Sequence, residues 1–137
     1  MTVLGVDFGL KRTGLAFSDP GETIAFPGPL ITGAQPDCVR QVAQEAAERG
    51  ADTIVVGLPK HLDGSEGEMT RRAYAFADAL RHAAEATVTT WDERLTSVQA
   101  ERAMLSGDLT RKKRKRRIDS LAAQLMLQNY LDAHPRS

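Results

Sequence analysis

Apolar residues recur along the chain with two different periods. Residues 2–8 (TVLGVDF) form a short apolar run that closes on Asp7, and residues 14–18 (GLAFS) form another. Between them GLKRTG has the composition of a turn, with Gly9 and Gly14 at its flanks, so the pair predicts an antiparallel hairpin. Residues 22–31 (ETIAFPGPLI) supply a third strand. Proline cannot donate to a ladder, so Pro27 and Pro29 confine this strand to a sheet edge or end it early. From Pro36 the period lengthens. Val39, Val42, Ala43, Ala46 and Ala47 recur at helical spacing, and Gly50 stands where a C-capping glycine belongs. Residues 53–57 (TIVVG) are continuously apolar, which suits a strand covered on both faces. After the loop LPKHLDGSEG, a second helix is marked by Met69, Ala73, Phe76, Ala77, Leu80 and Ala84. Residues 86–91 (ATVTTW) are the next strand. A third helix starts near Thr96, in the capping-box pattern Thr96-Ser97-Val98-Gln99, and stops at Gly107. RKKRKRR reads as a charged loop, and a last helix runs from about 117 to 132.

The order is therefore βββ-α-β-α-β-α-α. A hairpin-led antiparallel half followed by alternating strands and helices predicts an α/β fold, a mixed sheet with helices on both faces. With 137 residues, no internal repeat and no long linker, residues 1–137 are expected to form one domain. Apolar residues make up 42% and charged residues 26%, as in ordinary globular proteins. Eighteen basic residues balance eighteen acidic ones, so a nucleic-acid binder would show only in how charge is distributed. The lone Cys38 can form no internal disulfide and, with no CxxC or Cys/His cluster, argues against zinc; it is expected to be a small packing residue. MTVLGVDFG has no basic segment and no apolar run approaches membrane-spanning length, so a cytoplasmic protein without a membrane partner is expected.

Three acidic residues stand out against this background. Asp7 closes the first strand, and Glu93 follows the strand that ends at Trp91. Asp119 heads the last helix, with Ala122, Ala123, Met126 and Tyr130 on its own face. Carboxylates in such places are costly unless neutralised, and Mg²⁺ or Mn²⁺ would neutralise them. Each acid also has a plainer reading. Asp7 and Glu93 can cap turns or pair with Arg12 or Arg94, and the helix dipole favours an acid in a first turn, though that does not explain the side Asp119 occupies. Asp92 competes with Glu93, because adjacent strand residues point to opposite faces and spacing does not choose between them.

The run 111–117, RKKRKRR, is a solvated face or a phosphate contact. Its closeness to Asp119 favours phosphate, with cations steering a polyanion past the carboxylates. His61, in the 58–67 loop, is either a proton shuttle or simply exposed. Trp91 and Tyr130 are expected in the core, since 5% aromatic content gives little support for a base-stacking platform.

VDFGLKRTGLAFSD, VVGLPKHLDGSEG, DERLTSVQAE and KKRKRRIDSLAAQLMLQNYLD resemble, in order and spacing, the hallmark segments of the YqgF family, also called RuvX. The resemblance spans nearly the whole chain. It implies a ribonuclease H-like fold, a five-stranded sheet with three antiparallel strands then two parallel, similar to the Holliday junction resolvases. It also implies a metal-dependent nuclease that matures the 5′ end of pre-16S ribosomal RNA, or one that resolves branched DNA. The family's acids fall on Asp7, Glu93 and Asp119, so the resemblance selects Glu93 over Asp92. Ser97 and Phe17 are small departures that touch none of the acids.

The expected chemistry is phosphodiester hydrolysis with two divalent ions, roughly 3.5–4 Å apart, held by these three carboxylates. Lys11, Arg12, Arg94, Lys112, Lys113, Arg114 and Lys115 are expected to hold phosphates of precursor rRNA, in a monomer or homodimer that can meet the ribosomal particle. Two rivals predict differently. DFGLKRTG also resembles the phosphate-binding hairpin of actin-like ATPases and sugar kinases, which require two such domains and measurable ATP affinity. A non-catalytic RNA- or ribosome-binding module would bind in a salt-sensitive way, indifferent to EDTA and to the acids.

Overall fold

A computed structural model of the chain describes residues 2–33, 37–59, 65–92 and 111–134, with the backbone alone for 111–120. The described elements are β1 (Thr2–Asp7), β2 (Arg12–Ser18), β3 (Ala25–Thr32), α1 (Asp37–Glu48), β4 (Ala51–Leu58), α2 (Glu68–Ala83), β5 (Thr87–Asp92) and α3 (Arg111–Ala133). The helix expected between Thr96 and Gly107 lies outside the described residues. The strands form one sheet in the order β3-β2-β1-β4-β5. β1/β2 and β2/β3 are antiparallel, while β1/β4 and β4/β5 are parallel, so the expected mixed sheet is found.

The β1–β2 turn depends on Gly9, where an added Cβ would collide with the Arg12 carbonyl oxygen. The β2–β3 turn is held by Asp19. Its carboxylate accepts from Thr23 N at 2.7 Å, Ile24 N at 2.8 Å and Thr23 Oγ1 at 3.2 Å. These bonds, that from Ile24 N foremost, hold the Asp19 carboxyl below its ordinary pKa. β3 is an edge strand, as its prolines require, but they do not end it early: it runs through both to Thr32. An edge strand needs a ladder on one side only, and the register shift between Gly14 and Ala16, beside Pro27, absorbs the irregularity.

Alternation along the strands divides the core between two faces. Leu4, Val6, Leu15, Ile54, Val56 and Val88 pack with α1 and α2. Val3, Ala16, Ala25 and Val55 pack with Ala123, Met126, Leu127 and Leu131 of α3. α1 buries Cys38, Val39, Val42 and Ala46. The expected stripe is therefore turned slightly: Cys38 replaces Ala47, which is exposed. The Cys38 thiol donates to Thr13 Oγ1 at 3.2 Å, and burial pushes its pKa up, as befits a packing residue. Gly50 ends this segment at φ +66°, the left-handed conformation expected of a capping glycine. α2 buries Thr70, Ala73, Phe76, Ala77 and Leu80, while Met69 and Ala84 are half-buried.

α3 lies across β1, β2 and β3. It comes close over Gly5, where a Cβ would stand 2.9 Å from Leu127 Cβ. Two glutamines stitch it to the start of β3. Gln124 Nε2 donates to Ala25 O at 3.1 Å, Ala25 N donates to Gln128 Oε1 at 2.9 Å, and Gln128 Nε2 donates to Thr23 O at 2.9 Å. α3 begins at Arg111, so the cationic run is its first turns and not a loop. Lys and Arg are good helix formers. Like charges one turn apart cost only about 0.2–0.5 kcal/mol per pair. Burying one side chain such as Leu127 contributes about 1.5–3 kcal/mol, so the docked stripe downstream carries the helix through the run. No helix among the described residues is long and apolar enough to cross a membrane.

Candidate active site

β1, β4 and β5 run parallel, so their C-terminal ends share one edge of the sheet. Val6 lies opposite Val56, Gly57 opposite Trp91, and Leu58 opposite Asp92. One step beyond the Val6–Val56 pair, Asp7 comes level with Gly57. Asp7 is half-buried at this edge. Its sequence neighbours Val6 and Phe8 pack with the α1/α2 cluster, and Phe8 lies 4.7 Å from Phe76 between ring centroids. Alternation therefore gives Asp7 the opposite face, the one covered by α3.

The same parity separates the two acids after Trp91. Trp91 packs with the α3 cluster, whereas Val88, an even number of positions from Asp92, packs with α1 and α2. Asp92 thus falls on the face away from Asp7. Glu93 and Arg94 lie outside the described residues. Residue 119 lies in the α3 backbone, one turn before the buried Ala122 and Ala123 and two turns before Met126. Lys112, Lys113, Arg114 and Lys115 lie in the first turns of the same helix, on described backbone. Asp7 is the member of the expected trio whose side chain is described.

Around this edge, Lys11 is exposed and Arg12 is half-buried at the start of β2. Gly33 N donates to Lys11 O at 3.3 Å and fixes the β1–β2 turn against the end of β3. The connection after β4 is tied at both ends by the fully buried Thr70. Its hydroxyl donates to Pro59 O at 2.8 Å and accepts from Gly67 N at 3.3 Å, which anchors the start of α2 beside the same edge. His61 lies outside the described residues.

Trp91 and Tyr130 are half-buried rather than fully in the core. Their rings meet at 5.6 Å and 89°, and Tyr130 stacks on His134 at 4.2 Å. Burial, and secondarily Glu22, pushes the Tyr130 hydroxyl pKa up. The standing of Trp91 level with Asp7 was not legible locally, because it depends on the pairing of three strands distant in sequence.

Among the described residues no group of three or more His, Cys, Asp or Glu side chains could hold a metal ion, and Asp7 by itself offers one hard donor. Asp7 offers carboxylate oxygen, and its neighbours Phe8, Gly57 and Trp91 offer neither thiolate nor imidazole. Oxygen donors select Mg²⁺ or Mn²⁺ over softer metals.

The family model described as "RuvX: Holliday junction resolvase" matches residues 1–133. A protein of Caldanaerobacter subterraneus subsp. tengcongensis named "Putative pre-16S rRNA nuclease" is 40% identical, over 100% of this chain and 100% of its own length. One of the same name from Pelotomaculum thermopropionicum is 38% identical, over 99% of this chain and 90% of its own length. Among solved structures, T. thermophilus RuvC in complex with a Holliday junction substrate matches with a TM-score of 0.58 at 16% identity, over 98% of this chain and 95% of its own. The fowlpox virus Holliday junction resolvase matches at 0.57 and 12%, over 97% and 99%. At such identities the structural likeness is one of fold.

Proposed function

Because the chain belongs to the RuvX family, we propose that it is a nuclease of ribosomal RNA maturation that hydrolyses phosphodiester bonds at the 5′ end of pre-16S rRNA, with Asp7, Glu93 and Asp119 as its metal-holding carboxylates. The observation that carries this reading is the place of Asp7, at the C-terminal end of β1 on the face that α3 covers. Residue 119 belongs to α3, three positions before the buried Ala122. Glu93 follows β5 directly, next in the chain to Asp92. The reading requires these three acids to converge, since divalent cations of this kind are held by several oxygen donors at once.

When bound there, divalent ions supply an acidified water and neutralise charge on the leaving oxygen. The chain's own residues do the rest. Asp7, on a strand buried among apolar neighbours, is the fixed ligand, with Glu93 and Asp119 completing the set. Lys11, Arg12 and Arg94 take phosphates flanking the cut. Lys112, Lys113, Arg114 and Lys115 draw the polyanion along α3, so binding weakens as salt rises.

The test is Asp7→Asn, Glu93→Gln and Asp119→Asn, each assayed with Mg²⁺ and Mn²⁺ on a structured pre-16S RNA end and on four-way DNA junctions. Loss of cleavage with retained binding is expected. Undiminished cleavage by all three overturns the reading. The family's description as a Holliday junction resolvase favours a second reading, in which the same carboxylates cut branched DNA; faster cutting of junctions than of RNA would select it. Binding indifferent to EDTA, with no cleavage of either substrate, would select the non-catalytic module.

A further inference from the structure

Three strands place three residues in one row across the sheet. Asp7 is level with Gly57, and Gly57 pairs with Trp91. Asp7 and Trp91 both belong to the α3 face, and Gly57 puts no side chain between them. Two strand spacings, about 10 Å, separate the backbones of Asp7 and Trp91. Trp91 thus belongs to the same face of the sheet as Asp7, with its backbone at the same level along the strands.

The indole is also held in place. Tyr130 meets it at 5.6 Å and 89°, and His134 meets it at 5.4 Å and 69°. Tyr130 and His134 stack on each other at 4.2 Å and 27°, so the last turn of α3 and the residue that follows it form a two-ring support for a single tryptophan. Trp91 nonetheless remains half-buried, whereas the neighbouring core residues Val55, Met126 and Leu127 are fully buried. A residue serving only to fill that cluster would gain most by being fully covered; a half-open, braced indole has surface left for another ring.

We propose that Trp91 is a substrate-positioning residue, its indole stacking on a nucleobase next to the phosphate that is cut. This rests on the carboxylate reading above and adds to it a base contact. Stacking tolerates any base, because every base has a π-face. Trp91 therefore fixes where the strand lies without reading its sequence. The base held by the indole sets the distance along the strand to the phosphate over the carboxylates, so the residue governs the position of the cut as well as affinity.

Trp91 is the chain's only tryptophan, so its fluorescence reports on itself. The full chain carrying Asp7→Asn is titrated with the RNA or DNA that the native chain cuts, with saturation followed independently by anisotropy of a labelled strand. Quenching of Trp91 on binding is expected. A single abasic nucleotide beside the cut phosphate should remove that quenching, while abasic nucleotides farther away leave it. Trp91→Leu should weaken binding roughly five- to 150-fold, the value of one stacked base. It should also raise KM more than it lowers kcat, and bind intact and abasic strands equally; Trp91→Phe should recover most of the loss.

Unchanged fluorescence at saturation overturns the proposal. So does a Trp91→Leu protein that still prefers intact over abasic strands as the native chain does. If Trp91→Leu fails to fold, the abasic series on the unaltered tryptophan decides alone. The two readings fail separately. Cleavage lost in Asp7→Asn with an unresponsive Trp91 removes the base contact and keeps the nuclease; a quenched Trp91 with cleavage indifferent to Asp7→Asn keeps the base contact and removes the carboxylate site.

Discussion

The two faces of the sheet are built from the same strands to opposite ends. Toward α1 and α2, β1 and β4 present Leu4, Val6, Ile54 and Val56, and a full-sized core with Phe76 and Leu80 closes over them. Toward α3, the same strands present Val3, Gly5, Asp7, Val55 and Gly57, small residues and one carboxylate. The period of two lets neighbouring residues serve unlike purposes. One face supplies the apolar burial that stabilises the fold. The other leaves room for a helix to come close and places an acid at the edge where parallel strands end.

If that division holds, substitutions on the two faces separate into losses of activity and losses of stability. The largest effect falls on Asp7→Asn: cleavage drops at least about a hundredfold, the scale for removing one group that stabilises transition-state charge. The melting temperature of the metal-free protein should change little, because Asp7 is half-buried at the sheet edge and belongs to neither core cluster; calorimetry alongside the cleavage assay checks this, and a large fall in Tm would break the comparison. On the other face, Leu4→Ala should lower unfolding free energy by about 3 kcal/mol, within the 2–5 kcal/mol usual for a buried leucine. Denaturant titration measures it, and the fraction that stays folded should cleave at the native rate.

Gly5→Ala sharpens the contrast, because it lies on the α3 face yet acts through packing. The new Cβ, 2.9 Å from Leu127 Cβ, presses α3 away from β1. A stability loss of about 1–3 kcal/mol is expected, together with reduced cleavage, since α3 carries residue 119. Stability lost with activity intact would show that the helix does not need its close seat. The smallest effect belongs to neither face. Asp19 has a folded pKa below its ordinary 3.8, so its contribution is complete above that value and fades as pH falls toward the folded one. Asp19→Asn should flatten the acid limb of a stability–pH curve slightly and leave neutral-pH cleavage unchanged.

The strands and the order of elements along the chain were legible because each is a local pattern: an apolar run or a change of period, with Asp7 as the abrupt carboxylate that closes the first strand. What escaped depended on partners distant in sequence. Pro27 and Pro29 permitted either an edge strand or an early stop, and only pairing with β2 shows the strand continuing to Thr32. The cationic run reads as a loop on charge alone, since the docking that carries the helix through it comes from Ala123, Met126 and Leu127, beyond the run. Cys38 displaced Ala47 from the buried stripe because Thr13, on another strand, offers its sulfur a partner. Spacing left Asp92 and Glu93 equal; the packing of Val88 and Trp91 into different clusters puts Asp92 on the far face.

The seams made by Gln124 and Gln128 join residues about a hundred positions apart, linking the last helix to the first strands. A ribosome delivers those strands long before it delivers the helix. Until α3 has been made, the α3 side of β1, β2 and β3 has nothing to close over it, and the seams at Ala25 and Thr23 stay open.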